Sequence, residues 1–135
     1  ENFFMTYGDG LCSINLDDLI KFHKENDKIA TVTAVHPPVR FGELEIKGSK
    51  VIKFEEKPQA SSGWINGGYF VLNSDVFDYI DNDQTLFEKE PMTKLYQKNN
   101  LNAYKHEGFW KCMDTLRDKI DLEHILKSKG PIWKK

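Results

Sequence analysis

Val51-Ile52-Lys53-Phe54-Glu55-Glu56-Lys57-Pro58, a short polar loop, Trp64-Ile65-Asn66-Gly67-Gly68 and the apolar run Tyr69-Phe70-Val71-Leu72 together form the stretch around which the chain is arranged. Val51, Ile52 and Phe54 predict a half-buried strand that ends in two carboxylates and a lysine, and Pro58 stops further pairing. Tyr69 to Leu72 predict a buried strand with two glycines at its mouth. Glycine there lets another group approach the backbone closely, and that group is often a ligand. A lysine ammonium is a mobile point charge suited to phosphate. Glutamate accepts hydrogen bonds from sugar hydroxyls, and asparagine both donates and accepts. On this chemistry Glu56, Lys57, Asn66 and Gly67 are expected to wall a site for a phosphorylated small molecule.

Upstream, Glu43-Leu44-Glu45-Ile46 alternates like a strand with one wet face. Lys47-Gly48-Ser49-Lys50 supplies turn chemistry, so Leu44 to Phe54 predicts a β-hairpin. Phe3 to Tyr7 is a continuous apolar run before Gly8-Asp9-Gly10, the pattern of a central parallel strand. Asn15 predicts a helix cap, with Asp17 and Asp18 in the first turn and Leu16, Leu19, Ile20 and His23 on one face. Ile29 to Val35 is a β-branched strand, ended by His36-Pro37-Pro38. Downstream, a short helix carries Val76, Phe77, Tyr79 and Ile80. Leu86 to Gln97 is helical with a kink or restart at Pro91. Leu101 to His106 and Phe109 to Met113 are strands. Asp114-Thr115 opens a last helix whose apolar face includes Leu116, Ile120, Ile125 and Leu126. The fold class expected is α/β: a mixed, mainly parallel sheet flanked by helices, with an inserted β-hairpin.

The 135 residues make at most one domain. A net charge of −2 argues against nucleic-acid or membrane-surface binding driven by bulk charge. No run of eighteen apolar residues occurs. Cys12 and Cys112, far apart, make no secreted disulfide framework, so a reduced, cytoplasmic setting is expected. The chain enters its first strand at once from Glu1-Asn2, which reads as a fragment beginning within a larger domain.

Gly8-Asp9-Gly10 alone is an ordinary turn, and Asp114 alone an ordinary helix cap. Together they place two carboxylates at the ends of separate strands, where ligands of α/β sheets gather. Such a pair suits Mg2+, which takes one or two carboxylates plus substrate phosphate oxygens. Asp81-Asn82-Asp83 mimics a metal-binding Asp-x-Asp but follows a helix instead of a strand. The four histidines, His23, His36, His106 and His124, lack metal-ligand spacing. Cys112 reads as buried filler, and no triphosphate-cradling glycine loop is present.

Thr6-Tyr7-Gly8-Asp9-Gly10, Thr31 to Pro38, Arg40 to Leu44, Glu56-Lys57-Pro58, Trp64 to Gly68 and His106 to Thr115 together resemble the sugar-phosphate nucleotidylyltransferases. Within that family they are similar to the branch that moves a cytidylyl group from CTP onto glucose 1-phosphate, releasing pyrophosphate. The resemblance implies that Asp9 and Asp114 hold Mg2+ and that Lys57 binds the sugar phosphate. It also implies that Glu56, Asn66 and Gly67 contact the sugar and that Tyr7 lines the same pocket. It implies a cytoplasmic homo-oligomer whose product feeds surface-polysaccharide synthesis. The family's Gly-Gly-x-Gly-Thr-Arg signature does not occur here. Residues 1–135 are therefore expected to be the C-terminal portion of a single nucleotidylyltransferase domain, supplying its sugar-phosphate and metal half. The alternatives are a truncated, non-catalytic binding or assembly module, or a family member using UTP or dTTP.

Overall fold

A computed structural model describes residues 1–39, 41–56, 59–60 and 62–134. In chain order the elements are β1 (Asn2–Thr6), β2 (Gly10–Cys12), α1 (Leu16–Asn26), β3 (Ala30–Val35), β4 (Glu43–Lys47), β5 (Lys50–Glu55), β6 (Ile65–Asn73), α2 (Glu90–Gln97), β7 (Leu101–His106), β8 (Trp110–Cys112) and α3 (Leu116–Lys129). A six-residue 3-10 helix, Ser74–Tyr79, follows β6 and is capped by the Asn73 side chain.

The main sheet has the order β1-β6-β3-β7. β6 runs antiparallel to both its neighbours, whereas β3 and β7 pair in parallel. Three of the four strands thus point one way although two of the three pairings are antiparallel, so the sheet is mixed, as expected. β3 is buried along its whole length, as an inner strand covered on both faces must be.

The period-2 alternation of β6 divides the core into two layers. Val71 packs with Cys12, Ile14, Leu19, Val35 and Trp110 on the face covered by α1, β2 and β8. Phe70 and Leu72 pack with Ala30, Val32, Val76 and Leu95 on the opposite face, under the 3-10 helix and α2. Asn15 caps α1 by accepting from the amides of Asp17 (2.9 Å) and Asp18 (3.2 Å). His23 is buried against the sheet, with Nδ1 2.8 Å from the Thr31 hydroxyl. Burial holds its pKa below the ordinary histidine value.

Three expectations are corrected by packing. Among the described residues β1 pairs with the antiparallel β6, and Phe3 and Met5, packed on the core, alternate with a half-exposed Phe4. A continuous apolar run does not by itself reveal whether both faces are covered. The hairpin β4–β5 forms as expected, pairing Leu44 with Phe54, but it is a separate two-stranded sheet with Val51, Ile52 and Phe54 largely exposed. The second helix does not reach back to Leu86 but starts at Glu90; the restart expected at Pro91 is borne out, with proline in the first turn, where its missing amide hydrogen costs nothing. On α3 the buried residue is Leu122, while Leu116, Ile120 and Leu126 are exposed.

Candidate active site

The candidate residues lie where β1 runs out, where β6 begins, and at the end of β8. β6 enters the sheet through an irregularity: Val32 pairs with Phe70, but Ala34 already pairs with Asn66. On β6 three residues, Gly67 to Tyr69, stand opposite the single Thr33 on β3. This bulge re-aims the strand and its polar groups. Gly68 takes a φ of +78°, a left-handed conformation that glycine adopts without steric cost.

The glycine pair serves the protein's own packing. A Cβ on Gly67 would lie 2.9 Å from Val35 Cγ1 and 3.0 Å from the Thr33 carbonyl oxygen. A Cβ on Gly68 would lie 2.8 Å from Cδ2 of Tyr7. The close approach inferred from sequence is real, but the approaching groups are Val35, Thr33 and Tyr7, so the glycines themselves are no argument for a ligand. The Gly67 carbonyl accepts from Trp110 Nε1 at 2.8 Å, which ties the bulge to β8. Trp110→Phe is expected to leave that carbonyl without its donor and to cost about 1–3 kcal/mol, read from the urea midpoint of the complete protein at constant slope.

Tyr7 and Asn66 form one hydrogen-bonded unit. The Tyr7 amide donates to the Gly68 carbonyl (2.9 Å), continuing the β1–β6 ladder by one residue. Asn66 Nδ2 donates to the Tyr7 hydroxyl (3.1 Å), while Asn66 Oδ1 accepts from the Gly68 amide (2.8 Å). Burial, with the Glu88 carboxylate adding to it, pushes the Tyr7 phenol up to about 12, although the Asn66 bond works the other way. The phenol therefore stays neutral and acts as acceptor from Asn66 and donor to Glu88. Glu88 carries no signal in the sequence: it lies in an irregular stretch before α2, and no spacing pattern relates it to Tyr7.

Asp9 and Asp114 are brought to the same end of the small β2–β8 ladder. Gly10 pairs with Cys112 in antiparallel register, and the Met113 amide donates to the Asp9 carbonyl at 2.8 Å. Asp114 is not the helix cap. That role belongs to Thr115, in a capping box with Asp118. Asp118 Oδ2 accepts from the amides of both Asp114 and Thr115 at 3.1 Å, and its other oxygen faces Lys111 Nζ at 3.6 Å. These bonds hold the Asp118 carboxyl below its ordinary range, the Asp114 amide contributing most. The Asp114 carboxylate is left to accept from the Cys112 thiol at 3.2 Å. Burial first, then Asp114, Asp118 and Asp9, push that thiol up to about 11, so it stays protonated.

The donor set fits a hard divalent cation. Asp9 and Asp114 supply carboxylate oxygens at one ladder end, and one or two carboxylates are what Mg2+ takes when phosphates complete its shell. Among the described residues no group of three or more His, Cys, Asp or Glu is gathered into an all-protein cage. Lys57 lies outside the described residues. Glu56 is exposed just beyond β5. A groove of about 450 Å³ beside Asp114, lined by Phe41, Lys111, Thr115, Arg117, Asp118 and Asp121, contains none of the residues predicted for the site. Among the described residues no helix is long and apolar enough to cross a membrane.

Residues 1–127 match the family described as nucleotidyl transferase. The chain is 50% identical over 135 residues to the glucose-1-phosphate cytidylyltransferase of Salmonella typhimurium strain LT2, covering 99% of this chain and 52% of that protein. A probable glucose-1-phosphate cytidylyltransferase of Bacillus subtilis is 40% identical, covering 99% of this chain and 53% of its own. In three dimensions the chain is similar to a putative glucose-1-phosphate thymidylyltransferase from Bacillus anthracis, solved in complex with a sucrose. The TM-score is 0.64 at 18% identity, over 100% of this chain and 59% of that one. The chain thus spans about half the length of the curated relatives it matches.

Proposed function

The chain belongs to the nucleotidyl transferase family, and on that premise we propose that the complete protein transfers a cytidylyl group from CTP to glucose 1-phosphate. The observation that carries the reading is the 50% identity, across 99% of the chain, to an enzyme named for that reaction. In this step an oxygen of the sugar phosphate attacks the α-phosphorus of CTP in line. A new P–O bond forms, the bridging bond between α- and β-phosphorus breaks, and pyrophosphate leaves with its electron pair.

The reaction asks the protein chiefly for positioning and charge compensation. Lys57 would hold the phosphate of glucose 1-phosphate. Glu56 and Asn66 would contact the sugar hydroxyls, with Gly67 presenting backbone to the same ring. Asn66 is suited to this because Tyr7 and Gly68 fix its amide plane while one Nδ2 hydrogen stays uncommitted by them. Tyr7, neutral and held by Glu88, would close the pocket wall. Asp9 and Asp114 would hold Mg2+, which when bound offsets the charge that builds on the transferring phosphoryl group. The same reading implies a cytoplasmic homo-oligomer working in surface-polysaccharide synthesis.

Lys57→Ala in the complete protein is expected to raise KM for glucose 1-phosphate by about tenfold or more, the loss of one charge-assisted phosphate contact, with little change for CTP. Steady-state kinetics with both substrates varied test this, and an equal effect on both would remove Lys57 from the acceptor subsite. Turnover with CTP, UTP and dTTP in parallel tests the nucleotide. Failure of CTP beside success of another would replace the cytidylyl assignment, and no turnover with any would favour a non-catalytic module.

A further inference from the structure

The segment that follows β3 grips the loop that leads into β6. His36 Nδ1 donates to the Gly63 carbonyl at 2.7 Å, and the imidazole stacks on Trp64 with ring centroids 4.0 Å apart. The Ala60 amide donates to the Pro37 carbonyl (2.9 Å), Gln59 Nε2 donates to the His36 carbonyl (3.2 Å), and Pro38 bridges Gln59. One short segment therefore holds both Gln59-Ala60 and Gly63-Trp64. Its own anchor lies across the sheet: His36 Nε2 is 2.8 Å from the Glu107 carboxylate, just past the end of β7, the parallel neighbour of β3.

Both partners of the His36 ring are acceptors. A carbonyl oxygen and a carboxylate can each only receive a proton, so the two bonds coexist only when both ring nitrogens carry hydrogen. We propose that His36, as an imidazolium tied to Glu107 past the end of β7, is a positioning residue that clamps Gln59-Ala60 and Gly63-Trp64 against the end of β3, and so sets the acceptor subsite in a pH-dependent way. The proposal rests on the reading of Glu56, Lys57, Asn66 and Gly67 as that subsite, since the clamped loop joins the first pair to the second.

The charges around the ring agree. Among the described residues, Glu107 faces it from the β7 side. The Gly63 carbonyl and the Trp64 face meet it from the loop, and an aromatic face favours a cation. The opposing charge is Lys105, whose ammonium sits 5.5 Å from the Trp64 ring centroid. The neighbouring imidazole, His106, is engaged elsewhere, 3.3 Å from the Ser13 hydroxyl and 3.2 Å from the Phe109 carbonyl. The Gly63 carbonyl foremost, and Glu107 after it, raise the His36 pKa above the ordinary value of 6.5. For a raised histidine the sign is fixed: the clamp is fully present below the unfolded-state pKa and is lost as pH rises through the folded-state value.

Hydrogen exchange at the Ala60 amide of the complete protein, corrected for the intrinsic pH dependence, reads the clamp without reference to activity. Protection is expected to fall severalfold as the medium becomes alkaline, and His36→Gln, which retains one donor but cannot charge, is expected to flatten the profile. Glu107→Gln alters an exposed side chain and serves if His36→Gln does not fold; it is expected to move the midpoint to lower pH. In the same pH range KM for glucose 1-phosphate should rise severalfold while KM for CTP stays level, and His36→Gln should abolish the pH step. Flat protection in the parent protein, or an unmoved midpoint in Glu107→Gln, would overturn the clamp. Protection that follows pH while both KM values move together would overturn its role at the acceptor subsite. A protein inactive with CTP and glucose 1-phosphate whose Ala60 protection still tracks pH would refute the transferase reading and uphold the clamp.

Discussion

Asp114→Asn in the complete protein is expected to lower the rate of the proposed cytidylyl transfer by about 10²–10³-fold, the size of effect seen when one preorganised group facing developing charge is removed. The substitution keeps the shape and removes only the charge. The cap of α3 does not depend on that charge: Thr115 caps the helix, Asp118 receives the Asp114 amide whatever side chain residue 114 bears, and the oxygen of an asparagine can still accept from the Cys112 thiol. Loss of rate with retained stability is therefore the outcome expected of a cation ligand. A loss of stability matching the loss of rate would instead mark a structural carboxylate. Asp9→Asn should behave alike, and both variants should need more Mg2+ for half-maximal rate. A rate within a few-fold of the parent would remove Asp114 from the metal site.

Cys112 supplies a second readout of the same change. Its thiol is raised to about 11 by burial first and by Asp114 next. Removing the Asp114 charge lowers that value while the burial contribution stays. At pH 8 the thiolate fraction grows, and because the thiolate is the nucleophile, alkylation of Cys112 should quicken severalfold. Cys12, buried beside Trp110, is slow to react in either case. Faster alkylation would establish that the carboxylate stands beside the thiol, so a normal transfer rate in that variant would count against function and not against geometry.

Most of the sheet is legible in the sequence, because β3 is rich in β-branched residues and buried throughout, and the Phe70–Leu72 run of β6 alternates between two cores. What stays hidden has physical causes. The β2–β8 ladder is three residues per strand, too short for a period to show. It is nevertheless what brings Asp9 and Asp114 together, an arrangement inferable only from their both ending strands. Glu88 and His36 are invisible as partners because their contacts, with Tyr7 in one case and with Gly63, Trp64 and Glu107 in the other, join segments that no local pattern connects. The glycines of the 67–68 pair do mark a point of close approach, as their position suggests, but what approaches is the protein itself.

That distinction predicts a graded set of stability losses. Gly68→Ala is expected to cost about 2–5 kcal/mol, combining the roughly 1–2 kcal/mol of a left-handed residue with a Cβ and the roughly 1–3 kcal/mol of overpacking. The second part arises because Tyr7 cannot withdraw freely. Its Cδ2 would sit 2.8 Å from the new atom and its Cβ 3.3 Å, while its amide is bound to the Gly68 carbonyl and its hydroxyl to Asn66. Two other glycines separate the parts. Gly48, at the hairpin turn, shares the positive φ (+63°), but a methyl group there would meet nothing within 4 Å, so Gly48→Ala should cost only the conformational share. Gly67 lacks the positive φ but meets Val35 and the Thr33 carbonyl, so Gly67→Ala should cost only the packing share. Denaturant midpoints of the three variants in the complete protein, at unchanged slope, measure each. Gly68→Ala should also raise KM for glucose 1-phosphate, since moving Tyr7 releases the Asn66 amide that would face the sugar. If Gly68→Ala proves no costlier than Gly48→Ala, Tyr7 yields without resistance and the Tyr7–Asn66 unit is not the rigid wall that the acceptor subsite requires.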